Sequence, residues 1–138
     1  MNIKYELKTQ KGDSLLSCIA SLPEEQEICS TCHVYAEEEH QIWTIAVWYT
    51  NDGYKNQGIG KQTLAKIVTY LYVFYGKPIQ IKYIWNGTHQ YVYDWLVKHF
   101  DAVCQCPIAI QKTQAEDDWD SHIYNLNVDK VLKYFELL

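Results

Sequence analysis

The 138-residue chain carries 12 basic and 17 acidic residues for a net charge of −5 and is 48% hydrophobic. That describes one folded domain spanning 1–138, with core enough to need neither disulfides nor a metal. Every basic residue is lysine; without arginine's bidentate fork, and with a net-acidic surface, nucleic acid is not an expected partner.

The five cysteines are an odd number, the N-terminal residues are charged, and no apolar run approaches the roughly 20 residues that span a bilayer. The expectation is a cytoplasmic protein with free thiols and no membrane partner. Cys29-Ser30-Thr31-Cys32 and Cys104-Gln105-Cys106 invite a zinc reading, but the x1 spacing of the second pair and the absence of a knuckle turn are poor for a zinc ribbon. Packed cysteines are the expectation, and no metal is expected.

In chain order, Asn2 to Lys8 alternates weakly and reads as a strand. Asp13 or Ser14 can cap a helix with Leu15, Leu16, Ile19 and Ala20 on one face, ended by Pro23. Ile28 to Ala36 alternates as a half-buried strand, with Cys32 and Val34 on one side and His33 and Tyr35 on the other. Ile42 to Tyr49 is apolar at nearly every position, the pattern of a central strand covered on both faces. After a turn-rich loop, Leu64, Ile67, Val68, Leu71, Tyr72 and Tyr75 predict a long helix from near Gly58 to Gly76. Ile79, Ile81 and Tyr83 mark the next strand, terminated by Asn86-Gly87. Val92, Trp95, Leu96 and Phe100 stripe a shorter helix, and two strands follow over 103–112 and 122–128. A terminal helix covers 129–138. The order β-α-β-β-α-β-α-β-β is a mixed sheet flanked by helices, an α/β (α+β) class. Tyr70, Tyr72, Phe74 and Tyr75 run around the long helix, so a homodimer interface would bury those that face outward.

In Lys55-Asn56-Gln57-Gly58-Ile59-Gly60-Lys61, two glycines stand where a buried strand passes to a helix N-terminus. The backbone N–H groups of that first turn have no intrahelical partners and the helix dipole favours an anion there, so the turn suits a diphosphate. The segment resembles the acetyl-CoA motif of the GCN5-related N-acetyltransferase (GNAT) family, Gln/Arg-x-x-Gly-x-Gly/Ala. Lys55, Gly58 and Gly60 match it, and Ile45-Ala46-Val47 is the preceding strand. Lysine replaces Gln/Arg, which keeps a cation near the phosphates.

The resemblance, which covers nearly the whole chain, implies an N-acetyltransferase using acetyl-CoA as co-substrate and a primary amine as acceptor, a small molecule or a peptide or protein amine, by direct attack. It implies that Ala46, Val47 and Trp48 border the pantetheine arm and the thioester carbonyl, with Lys55, Gln57, Gly58, Ile59, Gly60 and Lys61 at the diphosphate. Asn86 matches a frequent family asparagine. Counting forward from it puts Tyr93 in the place of the family's acid, whereas counting back from Phe100 puts Trp95 there. Only the phenol has a transferable proton, so Tyr93 is the expected acid, with Tyr91 as the fallback. For the base, Glu39 and His40 rank first because some members draw it from this strand; Asp52 and His122 rank lower. The acidic 114–120 segment and Glu37 to Glu39 are expected to attract a cationic amine. A GNAT-like domain that binds without catalysing is the second reading.

Overall fold

The computed structural model describes residues 2–84, 90–105 and 123–138. Seven strands form a single sheet in the order β1-β2-β3-β4-β5-β7-β6. They are β1 (Lys4–Gln10), β2 (Leu15–Leu22), β3 (Glu27–Glu37), β4 (Ile42–Thr50), β5 (Gln80–Ile84), β6 (Val103–Cys104) and β7 (Ile123–Leu126). The helices are α1 (Ile59–Tyr75), α2 (Gln90–Phe100) and α3 (Val128–Tyr134). Only the β4–β5 pair is parallel among the described pairs, with α1 as its crossover.

The helix expected after Asp13 is instead strand β2. Leu16, Cys18, Ala20 and Leu22 are buried while the residues between them are half-buried, and β1 and β3 pair with it on its two edges. Six apolar positions among eight residues satisfy both the 3.6 and the 2.0 periods; ladder hydrogen bonds on both sides decide for the second. Asp13 cannot act as an N-cap, which needs extended backbone. Its φ is +61°, in a tight turn with Lys11 and Gly12.

Asp13 has a different task. Its Oδ2 accepts from Tyr70 Oη at 2.9 Å and from Tyr75 Oη at 2.6 Å, tying the β1–β2 turn to the last turns of α1. The Tyr75 hydrogen bond, seconded by that of Tyr70, holds the carboxyl below its ordinary range, and the same contact pushes the Tyr75 phenol up to about 12. A carboxylate whose folded pKa is depressed stabilises the fold above its unfolded pKa and loses that contribution as pH falls through the folded value. Asp13→Ala should therefore lower the thermal midpoint by several degrees at pH 7, and the gap to wild type should narrow below pH 4 in melts followed by circular dichroism. A gap that is constant with pH would contradict this account.

The remaining elements follow the predicted order. Gly58 (φ +78°) opens α1 and Gly76 (φ +82°) closes it. Strand β5 starts at Gln80, leaving Ile79 73% exposed. Asn127, placed by the sequence in the last strand, caps α3 by accepting from the Lys130 N–H at 3.0 Å. Of the strand expected over 103–112, Val103–Cys104 is seen; its later part lies outside the described residues, as do Asn86, His122 and the acidic 114–120 segment.

One contiguous core joins Leu16, Val34, Trp43, Ile45, Tyr83 and Tyr124 of the sheet to Leu64, Ile67 and Leu71 of α1, Leu96 and Phe100 of α2, and Val131 and Leu132 of α3. Among the described residues, all three helices thus lie on one sheet face. On the long helix, Val73 and Phe74 point away from this core. No helix among the described residues is long and apolar enough to cross a membrane.

Candidate functional site

The site is built where β4 leaves β5. Among the described residues the two strands pair from Ile42↔Gln80 to Ile45↔Tyr83. On the other edge, β4 stays paired with β3 as far as Thr50, but with Val34 opposite Ile45 and His33 opposite Val47. Ala46 is therefore an extra residue, a β-bulge that bends the strand and reverses its facing. Without it, Val47 would point into the core. With it, Trp48 and Thr50 turn toward α1, while Val47 and Tyr49 face the opposite side and are 38% and 47% exposed. The expectation that this strand is covered on both faces holds only for its first half; after the bulge, alternate residues are open.

A cleft of about 530 Å³ lies against the α1 N-terminus, lined by Trp48, Tyr49, Thr50, Tyr54, Lys55, Asn56, Gly58, Ile59, Gly60, Lys61, Val92 and Trp95. Gly58 occupies the N-cap position without a side-chain cap, and the first helical bond runs from Gln62 N–H to Gly58 C=O at 3.2 Å. The preceding N–H groups, those of Ile59, Gly60 and Lys61, have no carbonyl to meet within the helix and so suit an anion. Gly60 is needed for space: a Cβ there would stand 2.7 Å from Thr50 Oγ1. The Gly60 carbonyl accepts from Trp48 Nε1 at 2.8 Å and from Thr63 Oγ1 at 2.7 Å. Helix start and strand end are thereby locked together.

The loop before the helix is held from below. Asn51 donates from its backbone to Cys29 O (2.8 Å) and from Nδ2 to Ile28 O (2.6 Å). Tyr54 packs on the cluster of Ala20, Leu22, Cys29 and Ile59. The Glu27 carboxylate beside its hydroxyl pushes the Tyr54 phenol up to about 12, so Tyr54 stays neutral at the cleft edge. Lys55 pairs with Asp52 at 3.0 Å, and Asp52 is almost fully exposed. Such a surface pair is readily exchanged for a phosphate. Gln57 donates to Gly53 O at 3.3 Å and is exposed.

The aromatic wall was not legible in the sequence. Trp48 makes edge-on contacts with Tyr83 (ring centroids 6.5 Å apart) and Trp95 (5.9 Å), and Lys61 Nζ sits 5.7 Å from the Trp95 ring. Of the two registers on α2, Trp95 and its neighbour one turn earlier, Val92, are the ones that line the cleft. Tyr93 instead lies over Tyr124 of β7, at 5.0 Å, and Tyr124 pairs with Tyr83 on the β5 side of the splay. A tryptophan three residues before a turn-rich loop was the available signal for Trp48; its facing depended on the bulge.

Glu39 and His40 are not brought to this cleft. Both lie with positive φ in the turn before β4, and the strand runs from there to Thr50, which puts the cleft roughly 25 Å away at the usual rise per residue. The His40 ring stacks on Tyr75 at 3.7 Å, at the far end of α1, and its Nε2 meets Gly12 O at 2.9 Å. His40 forms a structural corner with Tyr75 and Asp13, so the base role assigned to Glu39 and His40 from the sequence is not supported by position.

The cysteines in the described residues are free thiols: Cys18, Cys29 and Cys32 buried, Cys104 partly so. Burial pushes Cys18 up to about 11 and Cys32 well above the ordinary range, which keeps them protonated and inert. Among the described residues no group of three or more His, Cys, Asp or Glu could hold a metal ion.

At the level of sequence, no family model and no curated protein matches the chain. Solved structures do. An acetyltransferase of the GNAT family from Staphylococcus aureus is 15% identical over 85% of this chain and 70% of its own, with a TM-score of 0.64. The PaiA N-acetyltransferase from Thermoplasma acidophilum, in complex with coenzyme A, is 10% identical, with 83% of this chain and 61% of that one covered and a TM-score of 0.59. A GNAT-family acetyltransferase from Elizabethkingia anophelis with acetyl-CoA bound is 16% identical, with 74% and 78% covered and a TM-score of 0.53. The chain thus spans less than two thirds of the PaiA enzyme. The parallel β4–β5 pair, the bulge, the crossover helix and these likenesses agree: the chain has the fold of the GCN5-related N-acetyltransferases.

Proposed function

We propose that this protein is an acetyl-CoA-dependent N-acetyltransferase that acetylates a primary amine by direct attack. The observation that carries the proposal is one cleft joining an uncapped, glycine-opened helix N-terminus to the stretch of β4 beyond a bulge, which has no β5 partner among the described residues. The first holds a diphosphate on main-chain N–H groups, with Lys55 and Lys61 at its edge. The second offers a strand edge to the pantetheine amides and, at Val47 or Trp48, an N–H able to stabilise an oxyanion. Bound there, acetyl-CoA supplies the activated acetyl group. Ala46 leaves room at the bulge, and Trp48 and Trp95 exclude water from the core side.

Tyr93 is the proposed acid for the departing thiolate, supported by its place over Tyr124, beside the β5 border of the splay. Asn86, which falls outside the described residues, is proposed to adjoin the cofactor on the strength of the family resemblance alone.

Isothermal calorimetry with coenzyme A tests the reading. Micromolar binding is expected, weakening about three- to tenfold in each of Lys55→Ala and Lys61→Ala and weakening further with added salt. No heat at millimolar coenzyme A would overturn it. The second reading, a module that binds without catalysing, draws on Trp95, which has no proton to give, lining the cleft. Tight binding without release of free thiol across a panel of amines would favour that reading.

A further inference from the structure

We propose that His33 is the general base of this reaction, acting from the open face of the sheet with Ser17 as its positioning residue. The inference rests on the acyl-transfer reading above. Ser17 Oγ and His33 Nδ1 are 2.8 Å apart across the β2–β3 pair, and both residues are half-buried. His33 is the register partner of Val47, the first residue after the bulge and just past the last β4–β5 pair among the described residues. The β3 main chain at His33 therefore runs one strand spacing, about 4.8 Å, from the β4 main chain proposed to hold the thioester carbonyl. The ring leans toward Ser17 on β2, so bridging water carries the proton between it and the carbonyl side of β4.

The two faces of the splay differ. On the core side, Trp48, Tyr83 and Trp95 close it by edge-on contacts. On the other, the described residues include no helix, and Tyr35, Val47 and Tyr49 are 46%, 38% and 47% exposed. A nucleophile reaches a carbonyl held in the splay from the side that His33 occupies. When Nδ1–H donates to Ser17 Oγ, the lone pair lies on Nε2, which is the tautomer a base requires. Nε2 takes the ammonium proton of the acceptor, or a proton of attacking water, and the nitrogen or oxygen so freed bonds to the carbonyl carbon; an attacking nitrogen gives its second proton to solvent. The C–S bond then breaks, and the thiolate takes a proton from Tyr93, which solvent restores. Lys8 opposite Ser17, Glu6 opposite Ile19, Lys4 on β1, Tyr35 and Glu37 on β3, Tyr49 on β4 and Lys82 on β5 are the titratable groups of the described strands sharing this face.

Thiol release from acetyl-CoA by the full chain, with water and separately with hydroxylamine as nucleophile, tests the assignment without an identified acceptor. Hydroxylamine is unprotonated at neutral pH and gains little from a base. His33→Gln should slow the water reaction about 100-fold and leave the hydroxylamine reaction and coenzyme A affinity essentially unchanged. Ser17→Ala should alter the pH dependence of the water reaction, and Ser17→Thr should restore it. His33→Asn repeats the test if the glutamine variant binds coenzyme A poorly. Undiminished hydrolysis, or equal loss with both nucleophiles, overturns the role of His33 and leaves the acyl-transfer reading standing. A wild-type chain that releases no thiol with either nucleophile overturns that reading and the role of His33 with it.

Discussion

Replacing Gly60 by valine is expected to take coenzyme A binding below detection by calorimetry, with Gly60→Ala weakening it at least about tenfold, or 1.4 kcal/mol. A Cβ at this position meets Thr50 Oγ1 at 2.7 Å, closer than real Cβ contacts come. Thr50 cannot yield without cost, because its hydroxyl is 3.1 Å from that of the fully buried Ser30, which itself donates to Tyr49 O at 2.8 Å. The helix start must therefore move, and with it the N–H groups of Ile59, Gly60 and Lys61. The Trp48 and Thr63 bonds to the Gly60 carbonyl move too. Thr50→Ala in the Gly60→Ala background removes the obstructing hydroxyl and should recover part of the lost affinity. Wild-type affinity in Gly60→Val would show that the α1 N-terminus is not the phosphate site.

The largest effect on stability is expected from Trp43→Ala. Trp43 is 1% exposed, pairs with Ala36 and Ile81 on its two sides, and donates from Nε1 to His40 O at 2.8 Å. Truncating a buried tryptophan costs about 3–5 kcal/mol, against about 5–15 kcal/mol for a whole domain. The urea midpoint should fall accordingly, and the thermal midpoint by about 10–20 °C. Trp43→Phe keeps most of the volume and gives up the N–H bond, so it should lose about 1–2 kcal/mol. The residue also roots the only parallel pair among those described. A loss under about 1 kcal/mol for the alanine variant would show that the cavity is refilled by its neighbours.

Helix α1 was legible from its start at Gly58 to its end at Gly76, because a long amphipathic period bounded by glycines admits one reading. Strand β3 was equally plain, with Cys32, Val34 and Ala36 inward and Tyr35 outward. Strand β2 was misread because eight residues carrying six apolar side chains fit either period, and only its two partners choose between them. On α2, Trp95 and Tyr93 are two positions apart, and local spacing cannot say which of them meets a strand end more than forty residues away.

The amino-acid sequence by itself determined the order of most elements, the uncapped glycine turn and the lysine-only charge set, since each depends on neighbours within a helical turn or a strand length. The tertiary structure alone decided the rest. The bulge at Ala46 is a mismatch between two paired strands, and it turns Trp48 toward Gly60 and Val47 toward His33. The same folding sends Glu39 and His40 to the far end of β4 and brings Ser17 within hydrogen-bond distance of His33. Facing and proximity across a sheet are set by register, and register is a property of two strands together.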